Sequence, residues 1–337
     1  MFYRKLVLTT TLLTLLLVAL GAYVRLSDAG LGCPDWPGCY GKPTVIHAAA
    51  DIAAAEAANP QGPVSAAKAW KEMLHRYLAG SVGLCILAIA WLSWRPARRA
   101  RYSPALASAL VAVVVVQALF GKWTVTMLLK PAIVTGHLIG GMLTLGMLAW
   151  LTAREWQPVL RGGAALGLAS RIGLLLLAGQ VVLGGWVSTN YAALICTDLP
   201  YCRGEIWPAM DWHNAFHIVR ELGKTAAGDM LTNEALTAIH MAHRLGALLV
   251  GGYLAGLGLA LRAAGNKGLG AALIAAVLVQ FSLGLANVAF SLPLPLAVLH
   301  NAGAAMLVCV MVVVNFAAGP NARVQQISGV RHESIAA

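Results

Sequence analysis

The chain has 337 residues, 59% of them hydrophobic and only 11% charged, with a net charge of +11. A soluble domain is about a quarter charged, so the composition excludes one and indicates a polytopic membrane protein. The basic excess gives no nucleic-acid reading, because it is confined to short segments between apolar runs.

Arg4 and Lys5 precede a first apolar run over about 6–25, long enough to cross a bilayer at about 20 residues per helix. Its basic start and the small residues near Gly21-Ala22 also suit a signal peptide; we expect a retained helix, because this run has an internal counterpart. A long loop over about 26–68 follows, carrying Cys33 and Cys39 and an Ala-rich stretch, Ala48–Ala58, that predicts a short surface helix. The second run, 69–94, opens with Glu72, His75 and Arg76. Arg95, Arg98, Arg99 and Arg101 lead to runs at 104–127 and 131–152, the latter with His137, and Arg154 and Arg161 lead to a fifth at 168–190. A second long loop, 191–234, carries Cys196 and Cys202. Runs at 235–262, 268–291 and 294–318 then hold His240, His243, Arg244 and His300, with Arg262 and Lys267 between the sixth and seventh. All these basic clusters, with Arg323 and Arg331, fall on one side of an eight-helix arrangement. The positive-inside rule makes that side, and both termini, cytoplasmic.

The chain repeats itself. CPDWPGC at Cys33–Cys39 recurs as CTDLPYC at Cys196–Cys202, an offset of 163 that also relates Gly21 to Gly184, Gln117 to Gln280, Gly121 to Gly284, His137 to His300 and Gly140 to Gly303. His75-Arg76 recurs as His243-Arg244 at an offset of 168, because the second long loop is five residues longer. Four helices per copy is an even number, so the copies are parallel repeats. The expected fold is an all-α integral membrane protein of two four-helix bundles, 1–160 and 161–320, with a cytoplasmic tail at 321–337.

Each copy keeps two histidines a few turns into helices that begin on the outside, at a depth of roughly 5–12 Å. Ionisable groups inside a membrane are costly and mark function. Two imidazoles facing across a bundle suit the axial ligation of haem iron, or another transition metal. Copper or zinc would want further ligands, and no Met or Cys repeats at that depth. Gly136, Gly140, Gly141 and Gly303 leave room for a flat ring. Arg76 and Arg244 at the bundle mouths suit the carboxylates of haem propionates, or simply reach to the interface. The remaining His47, His213, His217 and His332 read as surface residues. The copies differ beside one ligand: Glu72 shares a helix face with His75, but its counterpart is His240. A carboxylate there can pass protons or steady a developing cation. The cysteine pairs lie outside, where disulfides persist; they read as structural loops, as loops oxidised during maturation, or as redox-active thiols, with zinc binding a weaker fit. Cys85 and Cys309 read as packing residues.

Taken together, LSDAGLGCPDWPGC after the first helix, Glu72-x-x-His75-Arg76, QALFGKWTV with Gly136-His137, and the echoes at His243-Arg244 and His300 resemble the haem A synthase family over about residues 1–318. The resemblance implies an eight-helix inner-membrane enzyme that oxidises a ring methyl of haem O to a formyl group through successive hydroxylations. It implies that His243 and His300 ligate a resident haem b, and that His75 and His137 surround the substrate haem with Glu72 tied to catalysis. It also implies an outer-loop disulfide at Cys33–Cys39. Haem O synthase would supply substrate and cytochrome oxidase would use the product; the electron donor and any homo-oligomer stay open. The main rival is a di-haem membrane cytochrome b that passes electrons without modifying the porphyrin, disfavoured because all four histidines lie on one side. A transporter is the second rival, disfavoured because polar residues avoid the midplane.

Overall fold

The structure is a computed structural model and describes residues 1–319; the expected tail at 321–337, with Arg323, Arg331 and His332, lies outside the described residues. Among the described residues eight helices are long and apolar enough to cross a membrane: α1 Phe2–Leu26, α2 Ala66–Ser93, α3 Ala105–Thr126, α4 Pro131–Trp156, α5 Ala164–Thr189, α6 Asn233–Ala263, α7 Lys267–Ala289 and α8 Leu294–Ala317. The described residues form no named strand. Closing every backbone hydrogen bond inside a helix is what an apolar solvent demands. Large apolar side chains point outward along these helices, among them Leu84, Leu87 and Trp91 on α2 and Leu248, Leu249 and Leu259 on α6, as a lipid-facing surface requires.

Local chemistry sets the helix ends. Ser65 caps α2 by accepting from the Lys68 amide, and Thr232 caps α6 by accepting from the Ala235 amide. Pro131 and the Leu294-Pro295 pair open α4 and α8, where a missing N–H is harmless. Tight connections at Met127–Lys130 and Phe290–Pro293 join α3 to α4 and α7 to α8; Leu128, Leu129, Ser291 and Leu292 in them take positive φ. The Ala-rich stretch forms a helix, Ala49–Ala58, as expected.

The first four helices pack in a ring, α1 on α2, α2 on α3, α3 on α4 and α4 on α1; the last four do the same. The two groups meet through α1 on α8, α4 on α5 and α4 on α8. Gly146 of α4 lies where an added Cβ would meet Val312 and Val308 of α8 at 3.6 and 3.9 Å, the close approach that small residues permit between membrane helices. Leu15, Val18, Leu138, Met142, Leu145 and Ala305 fill the seam.

The basic segments gather at one end. Arg98 of the α2–α3 connection pairs with Glu155 in the last turn of α4, Arg98 stacks 3.6 Å over Tyr3 and Arg4 lies 3.8 Å over Trp156. The amide of Arg161 donates to Asn266 at 2.8 Å. The two cysteine loops occupy the opposite end, above the histidines.

Candidate haem-binding sites

His75 is the tenth residue of α2 and His137 the seventh of α4; His243 is the eleventh of α6 and His300 the seventh of α8. All four helices begin at the end bearing the cysteine loops, so the rings share one depth, about 9–15 Å along their helices. The ring centres of His75 and His137 are 6.5 Å apart with planes at 66°, and those of His243 and His300 are 6.5 Å apart at 82°. A metal takes imidazole nitrogen at about 2 Å. Two imidazoles on opposite sides of one metal therefore set their ring centres roughly 6 Å apart, and both pairs have that spacing. Among the described residues no cluster of three or more His, Cys, Asp or Glu side chains forms a metal cage, which fits a two-ligand iron better than zinc or copper.

Glycine makes room for each ring. A Cβ at Gly21 of α1 would lie 3.0 Å from His75, at Gly121 of α3 3.3 Å from His137, at Gly184 of α5 3.1 Å from His243, and at Gly284 of α7 3.2 Å from His300. In each half the first and third helices supply the glycines and the second and fourth the histidines. Glutamines support the rings. Gln117 donates to the His137 carbonyl at 2.6 Å; the Gln180 amide nitrogen lies 3.0 Å from both His243 Nδ1 and its carbonyl; that of Gln280 lies 3.3 Å from His300 Nε2.

A cavity of about 950 Å³ opens around the second pair, lined by Gln180, His240, His243, Arg244, Asn287 and His300 with Leu138 and Met142 from α4. That volume lies at the upper end of sites for large organic ligands. His300 Nδ1, His240 Nδ1, Asn287 Oδ1, Gln180 Oε1 and Gln280 Oε1 are buried there without a partner. Unpaired buried polar atoms are costly, at about 1–3 kcal/mol each, and residues so arranged fit a resident haem with two axial imidazoles. At the first pair, His137 Nδ1 is likewise buried and unpaired.

Glu72 is 5% exposed. Its Oε2 accepts from the Cys33 amide at 2.9 Å and its Oε1 is ion-paired with Arg76. Arg76 also donates to the carbonyls of Asp35 at 2.8 Å, Pro37 at 3.3 Å and Gly38 at 2.5 Å. Arg244 binds the second loop alike, through the carbonyls of Tyr201, Cys196 and Asp198 at 2.8, 2.9 and 3.1 Å. One terminal nitrogen of Arg76 is thus spent on loop carbonyls and the other on Glu72, and both terminal nitrogens of Arg244 on loop carbonyls, a use the sequence did not reveal; Arg244 Nε remains buried and unpaired.

The loops are built alike. Disulfides join Cys33 to Cys39 and Cys196 to Cys202, and a paired backbone bridge joins Cys39 to Lys42 and Cys202 to Glu205. Asp35 accepts from the amides of Tyr40 and Gly41 at 2.7 and 2.5 Å, and Asp198 from those of Arg203 and Gly204 at 3.0 and 2.9 Å. Gly41 and Gly204 take positive φ, which glycine adopts without strain. The amides, led by Gly204, hold the Asp198 carboxyl below the usual carboxylate range. Cys85 and Cys309 are free and lie within α2 and α8.

A family model described as "Cytochrome oxidase assembly protein", COX15-CtaA, matches residues 4–312. The chain belongs to the COX15-CtaA family. Among its relatives is a protein of Shewanella oneidensis named "Heme A synthase", 39% identical over 91% of this chain and 94% of its own length. Proteins of the same name from Sphingopyxis alaskensis, 26% identical over 94% of this chain and 92% of their own, and Paracoccus denitrificans, 28% over 86% and 81%, are also similar. In this COX15-CtaA member the motif residues His75, His137, His243 and His300 form the two imidazole pairs, and Glu72 lies about one turn from His75 on α2, bound to Arg76 and the Cys33 amide.

Sequence reasoning missed Gln180 and Arg25. Gln180 is a polar residue in an apolar run whose counterpart at the 163 offset is Leu17, and that mismatch was the available signal. The role of Gly21, Gly121, Gly184 and Gly284 was hidden, although all four are related by the 163 offset, because it depends on which helices are neighbours.

Proposed function

We propose that this protein is a haem A synthase of the inner (cytoplasmic) membrane, oxidising a ring methyl of haem O to a formyl group by successive hydroxylations, with both haem sites near the outer face. The observation that carries the proposal is the pair of imidazole clamps with equal ring separations of 6.5 Å in a chain of this family. Residues 1–160 hold the substrate site and 161–320 the resident one.

In the C-terminal half His243 and His300 would hold haem b, with Gly184 and Gly284 leaving room for the two imidazoles and Gln180 and Gln280 orienting them. A haem iron supplies the one-electron and oxygen chemistry that no side chain can. In the N-terminal half His75 and His137 flank haem O and hold it in register. Glu72 keeps a carboxylate beside that site, oriented by Arg76 and the Cys33 amide. There it would hold or pass a proton beside the reacting methyl, or steady positive charge developing on the carbon. His240 at the equivalent place in the other half cannot offer an anion, which separates a reactive site from a site that serves it. Propionate contacts from Arg76 and Arg244 would be left to the donors the loops do not use. Haem O synthase as supplier and cytochrome oxidase as consumer follow from the chemistry of substrate and product.

The test is conversion. Purified full-length protein, given haem O and a reductant in air, should yield the hydroxylated and formyl haems; a protein that binds haem O and returns it unchanged under all reducing conditions would be an electron carrier instead.

A further inference from the structure

Arg76 is held by Glu72 and loop carbonyls, and the terminal nitrogens of Arg244 by loop carbonyls; besides Arg244, a second arginine also reaches the large cavity. Arg25 closes the last turn of α1, in the N-terminal half, yet its side chain lines the cavity around His243 and His300. It is 14% exposed. One terminal nitrogen donates to the Ser188 carbonyl at 2.9 Å, the guanidinium lies 4.1 Å over the Tyr191 ring, and its nearest carboxylate, Asp28, is 3.7 Å away and 64% exposed. Nε is buried with no partner. Asp28 is already engaged by the Tyr191 hydroxyl at 2.9 Å.

A buried guanidinium whose Nε is unpaired, and whose one carboxylate partner is solvated and shared with the Tyr191 hydroxyl, is a receptor for a second carboxylate. Its height is suitable. Ser188 is one turn, about 6 Å, outward of Gly184, the glycine on which His243 packs. At the 163 offset the counterpart of Arg25 is Ser188 itself, and that of Asp28 is Tyr191. These counterparts touch across the seam, so the C-terminal half has no arginine to return to the first site.

We propose that Arg25 binds a propionate carboxylate of the haem held by His243 and His300, so that the N-terminal half completes the C-terminal site. This rests on the haem reading of that cavity. Arg25 is a cofactor-binding residue here, and the two sites become linked through α1, which also carries Gly21 against His75.

The test uses full-length protein made without haem in a His75→Ala, His137→Ala background, loaded with haem b or with haem b dimethyl ester. Release to excess apomyoglobin is followed by absorbance. The parent should release the ester about tenfold or more faster than the free acid, the scale of one charge-assisted hydrogen bond. Arg25→Gln should release both at the ester's rate, and Arg25→Lys should restore part of the difference. Equal release of both haems by the parent, or an undiminished difference in Arg25→Gln, would overturn the role of Arg25 while leaving haem binding intact. A parent that takes up neither haem would overturn the haem reading itself, and this inference with it.

Discussion

Glu72 offers the sharpest perturbation because it does two separable things. Its carboxylate is a charge about one helical turn from His75 on α2, and it is an acceptor that ties the Cys33 loop to α2. Glu72→Ala removes both. It leaves the Cys33 amide unpaired and Arg76 without its anion, although the carbonyls of Asp35, Pro37 and Gly38 still hold that guanidinium. Breaking a buried pair costs about 3–5 kcal/mol; the remaining carbonyl contacts place this one near the lower bound, about 3 kcal/mol. Glu72→Gln keeps an acceptor for the amide and costs about 1 kcal/mol. Hydrogen exchange at Cys33 should therefore quicken by about a hundredfold in Glu72→Ala and about fivefold in Glu72→Gln. Both variants should fail to convert haem O, because both lack the charge. Full conversion by Glu72→Gln would refute the role of the charge, and unchanged exchange in Glu72→Ala would refute the tether.

His243→Ala and His300→Ala should each lose the bis-imidazole haem b absorption, whereas His75→Ala and His137→Ala should keep it; the reverse pattern would interchange the sites. Gly184→Leu and Gly284→Leu should lose haem b, since even a Cβ there comes within 3.1 and 3.2 Å of the imidazoles, while Gly252→Leu, where a Cβ meets nothing within 4 Å, should load normally; spectra of the three purified proteins decide it. The second cysteine loop should depend on pH. With the Asp198 carboxyl held below its usual range, its contribution is present above the ordinary carboxylate pKa and lost as pH falls through the depressed value. Amide protection at Arg203 and Gly204, corrected for intrinsic exchange, should fall in acid in the parent and show no such transition in Asp198→Asn.

The eight spans were legible because a bilayer demands long apolar runs, and every expected run is a helix. Their ends were less so. α2 begins at Ala66 and α6 at Asn233, each a few residues before the apolar run, because Ser65 and Thr232 cap them. Caps are local polar chemistry that hydropathy does not register. α4 likewise runs on to Trp156 past the apolar stretch, its last turn anchored by Glu155 against Arg98. The histidines and Glu72 stood out because polar residues are rare in such helices. What Arg76 and Arg244 touch could not be read, since a guanidinium at a helix mouth serves a loop carbonyl or a ligand carboxylate equally well. Only the folded path of the cysteine loops over α2 and α6 distinguishes them. Arg25 was overlooked for a related reason: its cavity belongs to helices more than a hundred residues away in sequence.

The central claim is that one half of this molecule holds a haem that is used and the other a haem that is changed. Mass spectrometry of the haems extracted from protein purified out of aerobic cells tests it most directly. The account predicts haem b together with haem O, a hydroxylated intermediate or haem A. Haem b alone, in both wild-type protein and Glu72→Gln, would contradict it.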